Sequence, residues 1–103
     1  MTQRTAVASA TWTKQWWQGY AKLPADRQAS CDRAAMALIK GIDTPGLNVK
    51  PILPDKVYLE ARIGSGDRII FRVEQDAILF VDVVKHDDIG RYGRRSGQVR
   101  KRR

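Results

Sequence analysis

The sequence predicts an α+β domain with two layers, in which a helical hairpin packs on an antiparallel β-meander. Two observations favour this fold class. Apolar residues recur at helical spacing between Trp12 and Ile42, and they alternate with polar residues between Val57 and Val84. Helices followed by a run of strands are typical of α+β architecture, because each layer buries its apolar side against the other.

The N-terminal segment predicts a strand and then a helix. Arg4–Ala10 consists mostly of small or β-tolerant residues and indicates a short edge strand. Thr11 or Thr13 can cap the helix that follows, which we expect to end near Lys22. The apolar stripe of this helix consists of Trp12, Trp16, Tyr20 and Leu23. Trp17 points away from this stripe.

A second helix is predicted from about Ala25 to Lys40. Pro24 suits its first position, and Gly41 with the turn-forming residues 43–46 ends it. The residues on its apolar side are Cys31, Ala35, Leu38 and Ile42. Because Cys31 lies on that side, we interpret it as a small buried hydrophobe rather than a reactive thiol.

The second half of the chain predicts three antiparallel strands with short connections. The strands are expected at Val57–Ile63, 68–73 and Ala77–Val84, separated by turns at Gly64–Asp67 and Glu74–Asp76. One face of this meander buries its apolar residues under the helical hairpin. The other face carries Arg62 and Arg72, so one basic surface is possible.

The positive charge of the chain is concentrated at its C-terminus. The net charge is +8, of which residues 91–103 carry +7 and residues 1–90 only +1. We therefore divide the chain into a domain over residues 1–90 and a basic tail over residues 91–103. A polycation attracts nucleic acid because each neutralised phosphate releases counterions.

Composition excludes several classes of protein. A single cysteine cannot form an internal disulfide, and 43% apolar with 29% charged residues is typical of a folded globular domain. The longest apolar stretch, Ala77–Val84, is far shorter than a membrane span. No signal peptide is evident, so we expect a cytoplasmic protein that makes no contact with membranes.

Four segments of the sequence resemble the RelE/ParE superfamily of bacterial type II toxins. They are KLP at Lys22–Pro24, GLNVKPI at Gly46–Ile52, VYLEARIGSGDRIIFRV at Val57–Val73 and VVKHDDIGRY at Val83–Tyr92. The resemblance covers approximately residues 6–95. It implies the same fold as the pattern above: a strand, a helical hairpin, a three-stranded meander and a short C-terminal segment.

The resemblance also implies a site. RelE-like members cut messenger RNA in the ribosomal decoding site, and the corresponding catalytic candidates here are Lys50, Arg62, His86 and Tyr92. Cations stabilise the phosphorane charge, an imidazole carries protons, and a tyrosine stacks on a base or lends its hydroxyl. Further RNA-binding candidates are Arg72, Lys56, Arg91, Arg94 and Arg95. Arg68 resembles an arginine shared by toxins of both kinds, and we interpret it as structural.

Each candidate also has a structural interpretation. Arg62 could pair with Glu60 or Glu74, His86 could belong to a local capping cluster, and Tyr92 could pack the tail onto the core. The chain also departs from the RelE-like pattern. Asp87 and Asp88 stand where the nucleases carry a second arginine, and acidic side chains there repel phosphate.

Two functions therefore remain open at this point. The first is a ribosome-dependent mRNA endoribonuclease acting by metal-independent attack of the 2′-hydroxyl. The second is a ParE-like gyrase inhibitor or a noncatalytic protein-binding module, because members of one fold differ in chemistry. Either version implies a cognate antitoxin, with Trp17 as a possible contact and a heterotetramer as a possible assembly. We expect no cofactor and no metal.

Overall fold

The computed structural model describes residues 8–42, 44–54, 56–64 and 66–93. The predicted strand residues 4–7 and the candidates Arg94 and Arg95 lie outside these ranges. The elements are β1 (Ser9–Trp12), α1 (Lys14–Ala21), α2 (Ala25–Lys40), β2 (Lys50–Pro51), β3 (Leu59–Ile63), β4 (Asp67–Glu74), β5 (Ala77–Lys85), a 3₁₀ turn (His86–Asp88) and α3 (Gly90–Gly93). The last of these, α3, crosses the predicted boundary between residues 90 and 91.

The strands form one sheet in the order β1-β5-β4-β3-β2. The meander β3-β4-β5 is antiparallel as predicted, and the helical hairpin α1-α2 covers one of its faces. The α+β fold class is therefore confirmed. Two edge strands extend the meander: β1 pairs in parallel with β5, and the two-residue β2 pairs antiparallel with β3.

The start of α1 is set by Thr13, the second of the two predicted caps. Its hydroxyl accepts a hydrogen bond from the Trp16 backbone N–H at 3.0 Å and donates one to the Val81 carbonyl at 2.6 Å. The prediction that Trp12 belongs to the helical stripe is wrong. Trp12 is the last residue of β1, opposite Phe80 in the register, and its ring stacks on Phe80 with centroids 5.3 Å apart.

The second helix spans the predicted residues, except that Pro24 is its N-cap rather than its first residue. Cys31 is fully buried, and this burial raises the pKa of its thiol to about 12. A thiol with that pKa stays protonated, as its interpretation as a core hydrophobe requires. The core under the hairpin contains Trp16, Cys31, Ala34, Ala35, Leu38, Ala61, Ile63, Ile69, Phe71, Ile78, Phe80 and Val83.

The opposite face of the sheet, which we call the α3 face, has a small apolar cluster of its own. Its buried members are Ile52, Ile70 and Val81, and Tyr58, Leu79, Val84, Ile89 and Tyr92 pack against them. By alternation along β4, Ile70 shares a side with Arg68 and Arg72, and two arginines at these positions are typical of a polar side. That side is instead partly apolar, because α3 returns across it.

A β-bulge in β5 explains the residues that this face presents. Ile70 lies opposite Asp82 and Phe71 lies opposite Phe80, which leaves Val81 as the extra residue. An extra residue in one strand shifts the alternation of its side chains. As a consequence Val81 and Asp82 lie on the same side, and the carboxylate of Asp82 comes to the α3 face beside α1.

Helix α1 runs along the part of β5 that β1 does not cover, and Gly19 permits the contact. A Cβ atom at Gly19 would lie 2.6 Å from the Val83 carbonyl oxygen and 3.0 Å from Oδ1 of Asp82. The first distance is well inside van der Waals contact, and its partner is backbone. Only glycine therefore fits at this position of α1.

We expect Gly19→Ala to lower the free energy of unfolding by up to about 2 kcal/mol. Overpacking costs about 1–3 kcal/mol, and the better helix propensity of alanine returns roughly 1 kcal/mol. Urea denaturation measures the difference. Gly66→Ala is the matched control, because a Cβ there meets nothing within 4 Å. A Gly19→Ala protein as stable as the control would show that the helix can move away from the strand freely.

Candidate functional site

The strand register places Lys50 and Arg62 on the α3 face. Lys50 lies opposite Glu60, which lies opposite Ile70, and Ile70 in turn lies opposite Asp82. Residues opposite one another across strands share a face, and Arg62 shares it with Glu60 because side chains alternate along β3. Both cationic side chains are exposed. In the described part of the chain Arg62 forms no ion pair, and it pairs with neither Glu60 nor Glu74.

Beneath these cations lies a buried ion pair. Glu60 is 8% exposed and Arg68 is 6% exposed, and Oε1 of Glu60 lies 3.4 Å from Nε of Arg68. Arg68 also donates to the Asp67 carbonyl at 3.0 Å. Both contacts of Arg68 lie within the fold, and the ion pair with Glu60 connects β3 to β4. Because Arg68 neutralises Glu60, the exposed charges above this pair remain positive.

Arg72 and Tyr58 extend the same face beyond the Lys50 row. The Arg72 guanidinium carbon lies 5.8 Å from the centroid of the Tyr58 ring, within the range of a cation–π contact. Arg72 also pairs with the exposed Glu74 at 2.9 Å. An exposed pair of this kind is weak and open to exchange with a phosphate.

Tyr92 joins α3 to the sheet. Its ring meets Tyr58 edge-to-face with centroids 5.3 Å apart, and its hydroxyl donates to Oδ2 of Asp82. Gln15 of α1 donates to the same Asp82 oxygen at 3.0 Å and to the Tyr92 hydroxyl at 2.7 Å. Burial and the bond to Asp82 raise the pKa of Tyr92 well above its usual value. The hydroxyl is therefore a donor and not a base at neutral pH.

We expect the Tyr92–Asp82 bond to contribute stability that is lost at alkaline pH. The folded pKa of Tyr92 lies above the ordinary value of 10.0, so this contribution is complete below pH 10 and falls as pH rises through the folded pKa. Tyr92→Phe should lose about 1 kcal/mol at neutral pH and show a flatter alkaline decline. Denaturant unfolding at several pH values measures both, and parallel decline in the two proteins would contradict the assignment.

His86 follows β5 at the end of the sheet where Arg62 lies. Arg62 lies opposite Arg68, and Arg68 lies opposite Val84, which places Arg62 and Val84 roughly 10 Å apart at the usual strand spacing. His86 comes two residues after Val84, and its backbone N–H donates to the Gly66 carbonyl at 2.8 Å. Its imidazole is exposed, with Nδ1 3.6 Å from Asp87.

The remaining candidates lie at the rim of the α3 face. Lys56 is exposed in the loop between β2 and β3, with a left-handed backbone at φ 63°. The guanidinium of Arg91 lies 5.9 Å from the Tyr92 ring centroid and 3.9 Å from Oδ2 of Asp88. The structure thus brings Lys50, Arg62, Arg72 and Tyr92 onto one face, with His86 at its end.

Sequence reasoning missed Asp82 and Gln15. Asp82 is buried and also accepts a hydrogen bond from the Val83 N–H at 2.8 Å, so all its contacts hold structure together. A single acid inside an apolar strand was the available signal, since buried acids are rare without partners. Its partners lie 67 residues before it and 10 residues after it, which no local pattern indicates.

The element order, the sheet order and the position of the helical hairpin define the fold of the RelE/ParE toxins, which the sequence resemblance implied. Neither a family model nor a curated protein matches the chain. The toxin–antitoxin complex RelBE2 from Mycobacterium tuberculosis contains a chain with 19% identity and a TM-score of 0.66, over 84% of this chain and 100% of that one.

Two further solved structures have the same fold. A YoeB/ParE toxin from Agrobacterium tumefaciens matches with 17% identity and a TM-score of 0.65, covering 76% of this chain and 98% of that one. A chain of the archaeal RelE–RelB complex from Pyrococcus horikoshii OT3 matches with 17% identity and a TM-score of 0.63, covering 85% and 99%. In the described residues no helix is long and apolar enough to cross a membrane.

Proposed function

We propose that this chain is the toxin of a type II toxin–antitoxin pair and that it cleaves messenger RNA on the ribosome. The observation that carries the proposal is the row of exposed cations on the α3 face. Lys50 and Arg62 lie there together, and the nearest acid of that face, Glu60, is already neutralised by Arg68. Such a surface favours a phosphate group in place of bulk water.

The reaction would proceed without metal. The 2′-oxygen of the RNA attacks the adjacent phosphorus, the bond to the 5′-oxygen breaks, and the products are a 2′,3′-cyclic phosphate and a 5′-hydroxyl. A base removes the 2′-hydroxyl proton, and an acid returns a proton to the leaving oxygen. Arg62 and Lys50 would stabilise the charge of the pentacoordinate phosphorus, where fixed donors have their largest effect.

The exposed His86 would carry one of these protons, with Asp87 beside Nδ1 to orient the imidazole. Tyr92 would act through its ring, because Asp82 and Gln15 occupy its hydroxyl. A ring that already meets Tyr58 edge-to-face is fixed in place for stacking on an RNA base.

A translation extract programmed with a reporter mRNA tests this proposal. We expect cuts in phase with codons, mapped by primer extension, and a 2′,3′-cyclic phosphate on the upstream fragment. Naked mRNA without ribosomes should remain intact, which serves as the control. Intact mRNA in the translating extract would reject the nuclease.

A second function is favoured by the acids at the end of β5. Asp87 is 99% exposed and Asp88 is 51% exposed, so phosphate meets two carboxylates beside His86. This composition fits a ParE-like inhibitor of DNA gyrase or a noncatalytic binding module. Inhibition of supercoiling by purified gyrase, with mRNA left intact in the extract, would establish this alternative.

Both functions include an antitoxin partner. The similar structure from M. tuberculosis is a toxin–antitoxin complex, and the one from P. horikoshii is a RelE–RelB complex. The partner would cover the basic α3 face or a sheet edge with a helix or an extended segment. A heterotetramer of two toxins and two antitoxins, located in the cytoplasm with its ribosomal target, completes the proposal.

A further inference from the structure

A groove lined by Asp82 lies between α1 and the C-terminal half of β5. Its volume is about 540 Å³. Gln15 and Lys22 mark its two ends along α1, a distance of about 10 Å at the helical rise. The groove is therefore long enough for more than one phosphate group.

The two acids in the floor of the groove are already occupied. Asp67 is buried and accepts two hydrogen bonds from the Arg27 guanidinium, at 2.8 and 2.7 Å. Asp82 accepts from Tyr92, from Gln15 at 3.0 Å and from the Val83 N–H at 2.8 Å. Arg27 neutralises the charge of Asp67. Asp82 keeps its charge, since all three of its donors are neutral groups, but it is buried and does not face the ligand directly.

The exposed polar groups of the groove are mostly donors. Lys22 and Lys85 are exposed, and among the residues that the structure describes neither is in an ion pair. Arg91 lines the same groove and lies 3.9 Å from Asp88, the exposed acid among the described residues that line the groove. Gln18 adds a side-chain amide. Three cations against one exposed acid favour an anionic ligand.

From this arrangement we infer that the groove between α1 and β5 binds the phosphate backbone of an RNA strand. The inference rests on the proposed function for the identity of the strand. Lys85 directly precedes His86, and Arg91 directly precedes Tyr92, so the groove adjoins the candidate site along the chain. An RNA strand on the α3 face can therefore continue into the groove. An acidic peptide would match the donors but would gain nothing from this continuity.

Binding of a labelled single-stranded oligoribonucleotide, followed by fluorescence anisotropy, tests the inference. We expect Lys22→Gln and Lys85→Gln each to raise the Kd roughly fivefold to tenfold at low salt, and to reduce the salt slope by about 0.7. Lys40→Gln is the matched control, because Lys40 is an exposed lysine at the end of α2 and lies outside the groove. It removes the same charge and should change the Kd less than twofold.

Substitution of Asp88, the exposed acid at the rim of the groove, should change the affinity for RNA in the opposite direction. Asp88→Asn should tighten RNA binding severalfold, because it removes the exposed carboxylate of the groove, whereas Asp32→Asn on α2 should not. Equal effects of groove and control substitutions would overturn the inference. Competition by poly-glutamate as strong as competition by RNA at equal charge would also overturn it.

Two further measurements distinguish RNA from free phosphate as the ligand of the groove, and the groove inference from the proposed function. In NMR spectra of the full chain, the side-chain amides of Gln15 and Gln18 should shift on addition of the oligoribonucleotide at far lower concentration than inorganic phosphate requires. Shifts at equal concentrations would reassign the groove to a free anion and contradict the inference. RNA binding in the groove without cleavage in the translation extract would reject the proposed function alone.

Discussion

Arg68→Met is expected to lower the free energy of unfolding by about 3–5 kcal/mol, because it leaves the Glu60 carboxylate buried without its counter-charge. The side chains of Arg68 and Glu60 are 8% and 10% exposed, so water cannot replace the lost partner. The substitution also removes the donor to the Asp67 carbonyl. A domain of this size is stable by about 5–15 kcal/mol, so the loss is a large fraction of the total.

Two further proteins make this result interpretable. Glu60→Leu/Arg68→Met removes both charges and should recover most of the stability, since an apolar pair of similar volume often replaces a buried ion pair at little cost. Arg72 lies on the same strand and face but pairs with an exposed glutamate. Arg72→Met should therefore lower the free energy of unfolding by less than about 1 kcal/mol. Guanidinium unfolding compares all three. Equal stability of the single and double variants would mean that Glu60 reaches solvent.

Hydrophobic periodicity was sufficient to predict the elements that bury one stripe or one face. The helix over Ala25–Lys40 has the predicted bounds, and no end of a meander strand differs from its predicted position by more than two residues. Hydrophobic periodicity was insufficient where an element is short or irregular. The two-residue β2 is too brief for any period, and the bulge at Val81 breaks the alternation that locates a strand face.

Trp12 shows how tertiary context overrides a pattern. Its spacing from Trp16 fits a helical stripe, yet parallel pairing with β5 keeps the backbone extended through Trp12. The helix then begins after Thr13, where a side-chain cap is available. The prediction failed because the partner strand of Trp12 lies 65 residues or more away in the sequence, and spacing within a window carries no information about it.

For the candidate site, the sequence predicted which side chains share a face better than it predicted which side chains contact one another. Alternation along β3 and β4 indicated that Arg62 and Arg72 share a face, and the register agrees. The neutralisation of Glu60 by Arg68 and the attachment of Tyr92 to Asp82 depend on contacts across strands and helices. Such contacts leave no periodic signal, because each involves one residue from each element. The roles of Lys50, Arg62, His86 and Tyr92 in cleavage stay predictions.

Arg62→Ala is expected to lower the rate of the proposed mRNA cleavage in the translation extract by about 100- to 1,000-fold. Loss of one fixed donor to the charge that develops in a transition state has an effect of this order. Arg62→Lys should retain part of the activity, because a lysine keeps the charge but loses the planar fork that matches two phosphate oxygens. The yield of codon-phased fragments per unit time measures both variants against the unchanged protein.

The comparison is clean because Arg62 contributes little to the fold. Its side chain is exposed and forms no ion pair in the part of the chain that the structure describes, and its backbone bond to the Leu47 carbonyl survives the substitution. The melting temperature should therefore remain within a degree or two of the unchanged protein. Arg33→Ala, an exposed arginine of α2 hydrogen-bonded to Ser30, is the control and should cleave at the full rate. If a folded Arg62→Ala protein cleaved mRNA at the full rate, the Arg62 guanidinium would have no role in the reaction. The proposal that the reaction takes place on the α3 face would then be rejected.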